Sequence, residues 1–282
     1  MSGRFPRDQL REVPPSAEAE EGGPPAFDPL PPGAGDAPAP RWWGRHLQEL
    51  RWQAEAARLA VDPVLRGVGV PRGDGRPVLL LPGFLAGDYT LGVMALWLRR
   101  LGYRPYGCGF YLNVDCSDRA LLRIEERLDA LHLRYGRRVA VIGHSRGGHF
   151  AKALAVRRPG EVSHVVSLGA GLNRPFDISA PTQAALAVVR AAHGRTTDRV
   201  GRRGCLSERC TCEFARAYAG RFPAAVRLTS VYSKGDGVVR WRSCVVPYAE
   251  CIEVTGSHVG LIFNRKAYRA VARALAAPEL AG

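Results

Sequence analysis

Residues Gly143-His144-Ser145-Arg146-Gly147 set a serine between two glycines, directly after the apolar run Val139 to Ile142 and directly before a helical pattern. A serine on such a strand-to-helix turn is held in a strained backbone conformation that lifts its hydroxyl above the sheet, and only small neighbours leave room for the turn. Gly143 and Gly147 supply that room, and Gly148 lets the helix approach the strand closely. The chemistry predicted is nucleophilic attack by Ser145. A hydroxyl that keeps its proton does not attack an ester at neutral pH, so a base and a group that orients the base are required.

Of the seven histidines, His258 is the one that follows the last predicted strand, in Thr255-Gly256-Ser257-His258-Val259-Gly260. There it overhangs the carboxyl edge of a sheet. His46, His132, His149, His164 and His193 fall on helices, in a strand or in an irregular stretch, and His144 reads as a packing or hydrogen-bonding group pointing away from the nucleophile's pocket. The orienting acid is Asp236, in Ser233-Lys234-Gly235-Asp236-Gly237, immediately after a strand ending near Tyr232; Asp177 and Asp198 are alternatives that follow no strand. The oxyanion formed on attack needs preorganised donors, typically worth ~3 kcal/mol each. The Arg146 N–H at the helix start is one. The other is placed at the Phe84 N–H, in the loop Pro82-Gly83-Phe84-Leu85-Ala86-Gly87-Asp88, while the Phe84 and Leu85 side chains are open to a core role.

The elements that must position these groups alternate in type. Val78–Leu81, Tyr103–Gly107, Val139–Ile142 and Val162–Leu168 read as buried strands, with helices at Thr90–Leu101, at Ser117 to about Tyr135 with Ser117 as cap, and at Gly147–Val156. Apolar strands each followed by an amphipathic helix imply parallel pairing and right-handed crossovers. The predicted fold is therefore α/β, with a mostly parallel central sheet flanked by helices. The alternation lapses at about 170–222, a cap or lid insertion, and resumes with strands Val226–Tyr232 and Cys251–Val254 and a helix Arg265 to about Ala276. Upstream, Leu47, Leu50, Ala54 and Ala57 recur at helical spacing as the packed face of a helix from Trp43, with Glu49 and Glu55 among the charged residues between them.

Across 282 residues, 40 basic and 26 acidic side chains give a net charge of +14. Residues 1–40 hold three arginines against seven acids and 10 of the 21 prolines, the composition of a disordered acidic leader, so residues 41–282 carry the domain and a charge of +18. The excess is spread out, with no Lys/Arg run interleaved with aromatics, which argues against a nucleic-acid partner. No stretch approaches the ~18 apolar residues of a membrane span, and the first residues lack a secretory core. Seven cysteines, an odd number, favour reduced thiols and a cytoplasmic chain. Cys205, Cys210 and Cys212 lack zinc-knuckle spacing and favour a structural role over a metal, while Cys108 with Cys116 and Cys244 with Cys251 are spaced so that turns could join them.

From about residue 77 to 277 the chain resembles the α/β-hydrolase superfamily, and within it bacterial lipases and esterases with Gly-His-Ser-x-Gly-Gly at the nucleophile turn. Pro82-Gly83-Phe84, Gly143 to Gly148, then Asp236 and His258 occur in that family's order. The resemblance implies a Ser145 nucleophile with Asp236 and His258 as its relay, no cofactor, and hydrolysis of carboxylic esters through an acyl-enzyme. It departs in having Pro82-Gly83 where many members have His-Gly, and in an Arg- and Cys-rich insertion that matches no assignable lid. That insertion, with Arg190, Arg195, Arg199, Arg202, Arg203, Arg209, Arg216 and Arg221 against three acids, is expected to recruit anionic acyl substrates or to touch an anionic lipid surface; a plain solvated face is the alternative. An acyltransferase or thioesterase would use the same triad. A non-catalytic binding protein on this fold is the remaining alternative, against which the intact Ser145, Asp236 and His258 argue.

Overall fold

A computed structural model describes residues 46–195 and 211–280. Six parallel strands form one sheet in the order β2-β1-β3-β4-β5-β6: β1 Pro77–Leu81, β2 Arg104–Gly107, β3 Val139–His144, β4 Val162–Leu168, β5 Arg227–Ser233 and β6 Glu250–Val254. Every strand pair is parallel because each crossover carries a helix or a helical turn between strands. Side chains alternate between the two faces. Val78, Leu80, Ala140, Ile142, Val166 and Leu168 pack on one side with Trp97 of α2 (Gly92–Leu101) and Tyr268 of α7 (Arg265–Ala276). Leu79, Leu81, Val139, Val141 and Val165 pack on the other with α3 (Ser117–Tyr135) and α4 (Arg146–Arg157). Burial on both faces explains why these strands read as continuous apolar runs.

Strand order reverses between β1 and β3, so the loops leaving their carboxyl ends diverge and open a crevice there. The turns after β1 and β3 are those that carry Phe84 and Ser145.

Three expectations are corrected. Ser117 is the first residue of α3 and not its cap: Cys116 takes the cap position without a side-chain bond, and the Ser117 hydroxyl accepts from Arg146. The stretch 170–222 contains helices α5 (Ala180–Arg195) and α6 (Glu213–Ala219), whose alanine-rich sequences offer a weak periodic signal. The upstream segment is a 3-10 turn, His46–Arg51, followed by α1, Trp52–Val61, and it lies on the domain by the opposite face to that predicted. Leu50, Ala54 and Ala57 are exposed, whereas Glu49 and Glu55 turn inward.

Cys108, Cys116, Cys212, Cys244 and Cys251 are free thiols, so neither spaced pair is bridged. Cys205 and Cys210, the leader 1–40, Asp198 and Arg199, Arg202, Arg203 and Arg209 lie outside the described residues. Among the described residues no helix is long and apolar enough to cross a membrane.

Candidate active site

Ser145 stands between β3 and α4 with φ 51° and ψ −124°, one of two described non-glycine residues at positive φ. Its N–H donates to the Leu168 carbonyl (2.8 Å), tying the turn to β4. The turn is possible only because its flanks have no side chains: a Cβ on Gly143 would strike the Gly147–Gly148 peptide, and one on Gly147 would strike the Leu81 carbonyl. Gly148 likewise lies against Ala170 and Ser167.

Asp236 and His258 meet as the sequence order predicts. Asp236 is buried, and its Oδ1 accepts from the N–H groups of Val238 (2.8 Å) and Val239 (2.7 Å), which fixes the carboxylate plane. Oδ2 then faces His258 Nδ1 at 2.7 Å. With Nδ1 donating to the carboxylate, Nε2 is the nitrogen left to take a proton. Burial would depress the His258 pKa, but the Asp236 charge and hydrogen bond, with a further contribution from the Glu49 charge, outweigh it and hold the group above its usual 6.5. The competing acid candidate, Asp177, is instead paired with Arg240 at 3.0 Å.

His144 does pack and hydrogen-bond, and it touches His258 directly. Its ring lies 4.9 Å from that of His258, and Nε2–H donates to the His258 carbonyl (3.1 Å). Burial first, and the neighbouring His258 second, push its pKa down to about 3, so it is a neutral support. This contact places the histidine loop beside the Ser145 turn. Among the described residues no hydrogen bond joins Ser145 Oγ to His258, whose ring bond runs from Nδ1 to Asp236.

Phe84 follows β1, and among the described residues its N–H has no acceptor. The loop around it is held by Asn113, which the sequence reading passed over. Asn113 Nδ2 donates to the Pro82 carbonyl (2.8 Å), its N–H donates to Ala86 O (2.8 Å), and its Oδ1 accepts from Arg146 Nη1 (3.0 Å). The Arg146 guanidinium also donates to Asp115 O and Ser117 Oγ, so the residue after the serine staples both neighbouring loops. Asn113→Ala is expected to lower kcat about 10- to 100-fold, because a small displacement of a preorganised donor costs that much. Steady-state kinetics on a p-nitrophenyl ester check this; a kcat within twofold of native refutes the stapling role.

Over Ser145 lies an apolar cavity of about 60 Å³, bounded by Phe84, Ile178, Leu186 of α5, Phe214 of α6 and Val239. Among the described residues lining it is His149, whose pKa is pushed down to about 3 by burial and by the nearby Arg146 and Lys152 charges. A signal for it existed: four residues after Ser145, it sits one helical turn along α4 from the serine.

No protein-family model matches the chain, and no curated protein matches it in sequence. Solved structures do match in fold. The mature form of the Bacillus licheniformis lipase BlEst2 aligns over 74% of this chain and 95% of its own, with a TM-score of 0.52 and 14% identity. The propeptide form of the same lipase aligns over 76% of this chain and 53% of its own, with a TM-score of 0.53 and 14% identity. The all-parallel sheet, its flanking helices and these likenesses define the α/β-hydrolase fold.

Proposed function

We propose that the protein is a serine hydrolase that cleaves carboxylic esters of short acyl chains. The observation that carries the reading is the buried Asp236–His258 pair, 2.7 Å apart, on loops that share one edge of the sheet with the strained Ser145 turn. Ser145 Oγ attacks the acyl carbon as His258 Nε2 takes its proton. The Phe84 and Arg146 N–H groups receive the oxyanion. The imidazolium then protonates the leaving alcohol, and an acyl-Ser145 remains. A water, deprotonated by the same nitrogen, attacks that ester and releases the acid with Ser145 regenerated.

The small apolar cavity supports the acyl preference. At about 60 Å³ it is far below the roughly 300 Å³ at which sites for drug-sized ligands begin, and Leu186 and Phe214 are among its walls. Assay of p-nitrophenyl acetate, butyrate, octanoate and laurate tests this. The expected kcat/KM is highest for acetate or butyrate and falls for the longer chains. A maximum at octanoate or laurate refutes the short-chain assignment, and no turnover of any ester refutes the hydrolase reading.

A further inference from the structure

Glu49, which the upstream pattern placed among solvent-facing charges, makes three backbone contacts at the site. Its Oε1 accepts from the N–H of Gly237 (2.9 Å) and from the N–H of His258 (2.9 Å), and its Oε2 accepts from the N–H of Val259 (3.0 Å). Gly237 directly follows Asp236. One carboxylate, brought from 188 and 209 residues away in sequence, therefore ties the loop of the acid to the base itself. Glu55 secures the adjoining residue: its Oε1 accepts from Ser257 N–H (2.9 Å) and its Oε2 from the Ser257 hydroxyl (2.9 Å). The Ser257 hydroxyl oxygen in turn accepts from Gly260 N–H at 3.1 Å. The His258 backbone is thus gripped at its N–H by Glu49 and at its carbonyl by His144.

We propose that Glu49 is a positioning residue, which holds the His258 loop and the Asp236 loop in register with Ser145. The proposal rests on the triad reading above. Two effects are expected from one group. The first is geometric: three charge-assisted bonds fix where the His258 main chain stands, and hence where Nε2 lies over the serine. The second is electrostatic. The titratable groups facing the imidazole are the carboxylates of Asp236, from the loop after β5, and Glu49, from the upstream segment, with the neutral imidazoles of His144 from β3 and His149 from α4. Only the two carboxylates favour the imidazolium that forms as Ser145 attacks, and Glu49 is the one not bonded to the ring.

The full-length Glu49→Gln and Glu49→Ala variants separate the clamp from a merely structural contact. Gln keeps an oxygen for Gly237 and His258 but loses the charge and an acceptor for Val259, whereas Ala loses everything. The His258 imidazole titration, followed by NMR in the resting protein, is expected to move to lower pH in both. On a p-nitrophenyl ester, kcat is expected to fall about 10-fold for Gln and about 100-fold for Ala with KM within twofold, and the acidic limb of the kcat/KM profile should shift down with the titration. If Ala does not fold, Gln carries the test. A His258 titration unchanged in the folded variants, or a kcat within twofold of native, overturns the proposal. The titration needs no turnover, so it decides the role of Glu49 even if the native chain hydrolyses no ester, an outcome that would instead refute the proposed function.

Discussion

Ser145→Ala is expected to reduce turnover of a p-nitrophenyl ester by about 10⁶-fold with the fold unchanged, the scale seen when a triad nucleophile is removed. The structure gives two reasons for so large a loss. Gly143 and Gly147, two residues to either side, are packed against backbone and leave room for this one turn, and the Ser145 N–H bond to the Leu168 carbonyl holds its hydroxyl in place above the sheet. What survives in the variant is the binding and the oxyanion donors, which assist water poorly. Alanine meets the same positive φ that serine does, so stability should hardly change. Ser145→Gly should instead stabilise the chain by about 1 kcal/mol, since glycine relieves the strain that the reactive conformation imposes. Urea unfolding of the two variants reads that difference; equal stability of Gly and Ala would show that the turn is not strained.

Asp236→Asn is expected to lower kcat by about 10⁴-fold, and the hydrogen bonds around the carboxylate say how. Val238 and Val239 N–H groups both point at Oδ1, so an asparagine keeps its oxygen there and turns its NH₂ toward His258. Nδ1 must then accept, the imidazole proton moves to Nε2, and the nitrogen facing the serine loses its ability to take a proton. The titration changes with it. In the native chain the Asp236 carboxylate holds His258 protonated above pH 6.5, so kcat/KM should rise with pH through a limb above that value as the neutral base forms. Without the carboxylate, burial dominates and the limb moves to lower pH. The same shift has a stability counterpart. A histidine whose pKa is raised on folding stabilises the fold fully below its unfolded value, near 6.5, and that contribution is lost as pH rises through the folded value. Kinetics of the native chain and the variant from pH 5 to 9, with urea unfolding over the same range, check these statements; a native-like rate and limb in the variant would assign the acid elsewhere.

The Ser145 turn and the Asp236–His258 pairing were legible because each is written locally. Glycines flank the serine at the spacing the turn needs, and Asp236 and His258 each lie in the loop after a strand. The helix Arg265–Ala276 and the strand Val162–Leu168 have the boundaries read from sequence, since Asn264 caps the first with its side chain and both faces of the second are buried. The supporting groups were not legible. Asn113 lies in an irregular loop and acts on residues about 30 positions away, and the partners of Glu49 are about 200 away. On the upstream helix the alanine and leucine periodicity pointed the wrong face inward, because two glutamates that find backbone donors outweigh weakly apolar alanines. The basic excess also changes meaning. Arg138 donates to the carbonyls of Pro159, Val162, Ala225 and Leu280, and Arg146 to those of Asn113 and Asp115. Part of the +14 is therefore internal fastening and not a surface for a polyanion.

Covalent labelling by a fluorophosphonate probe, with the modified peptide located by mass spectrometry, addresses the nucleophile most directly. The native chain is expected to take up one label, on Ser145, and Ser145→Ala to take up none. A native chain that never labels, or a label that persists in Ser145→Ala, would contradict the account.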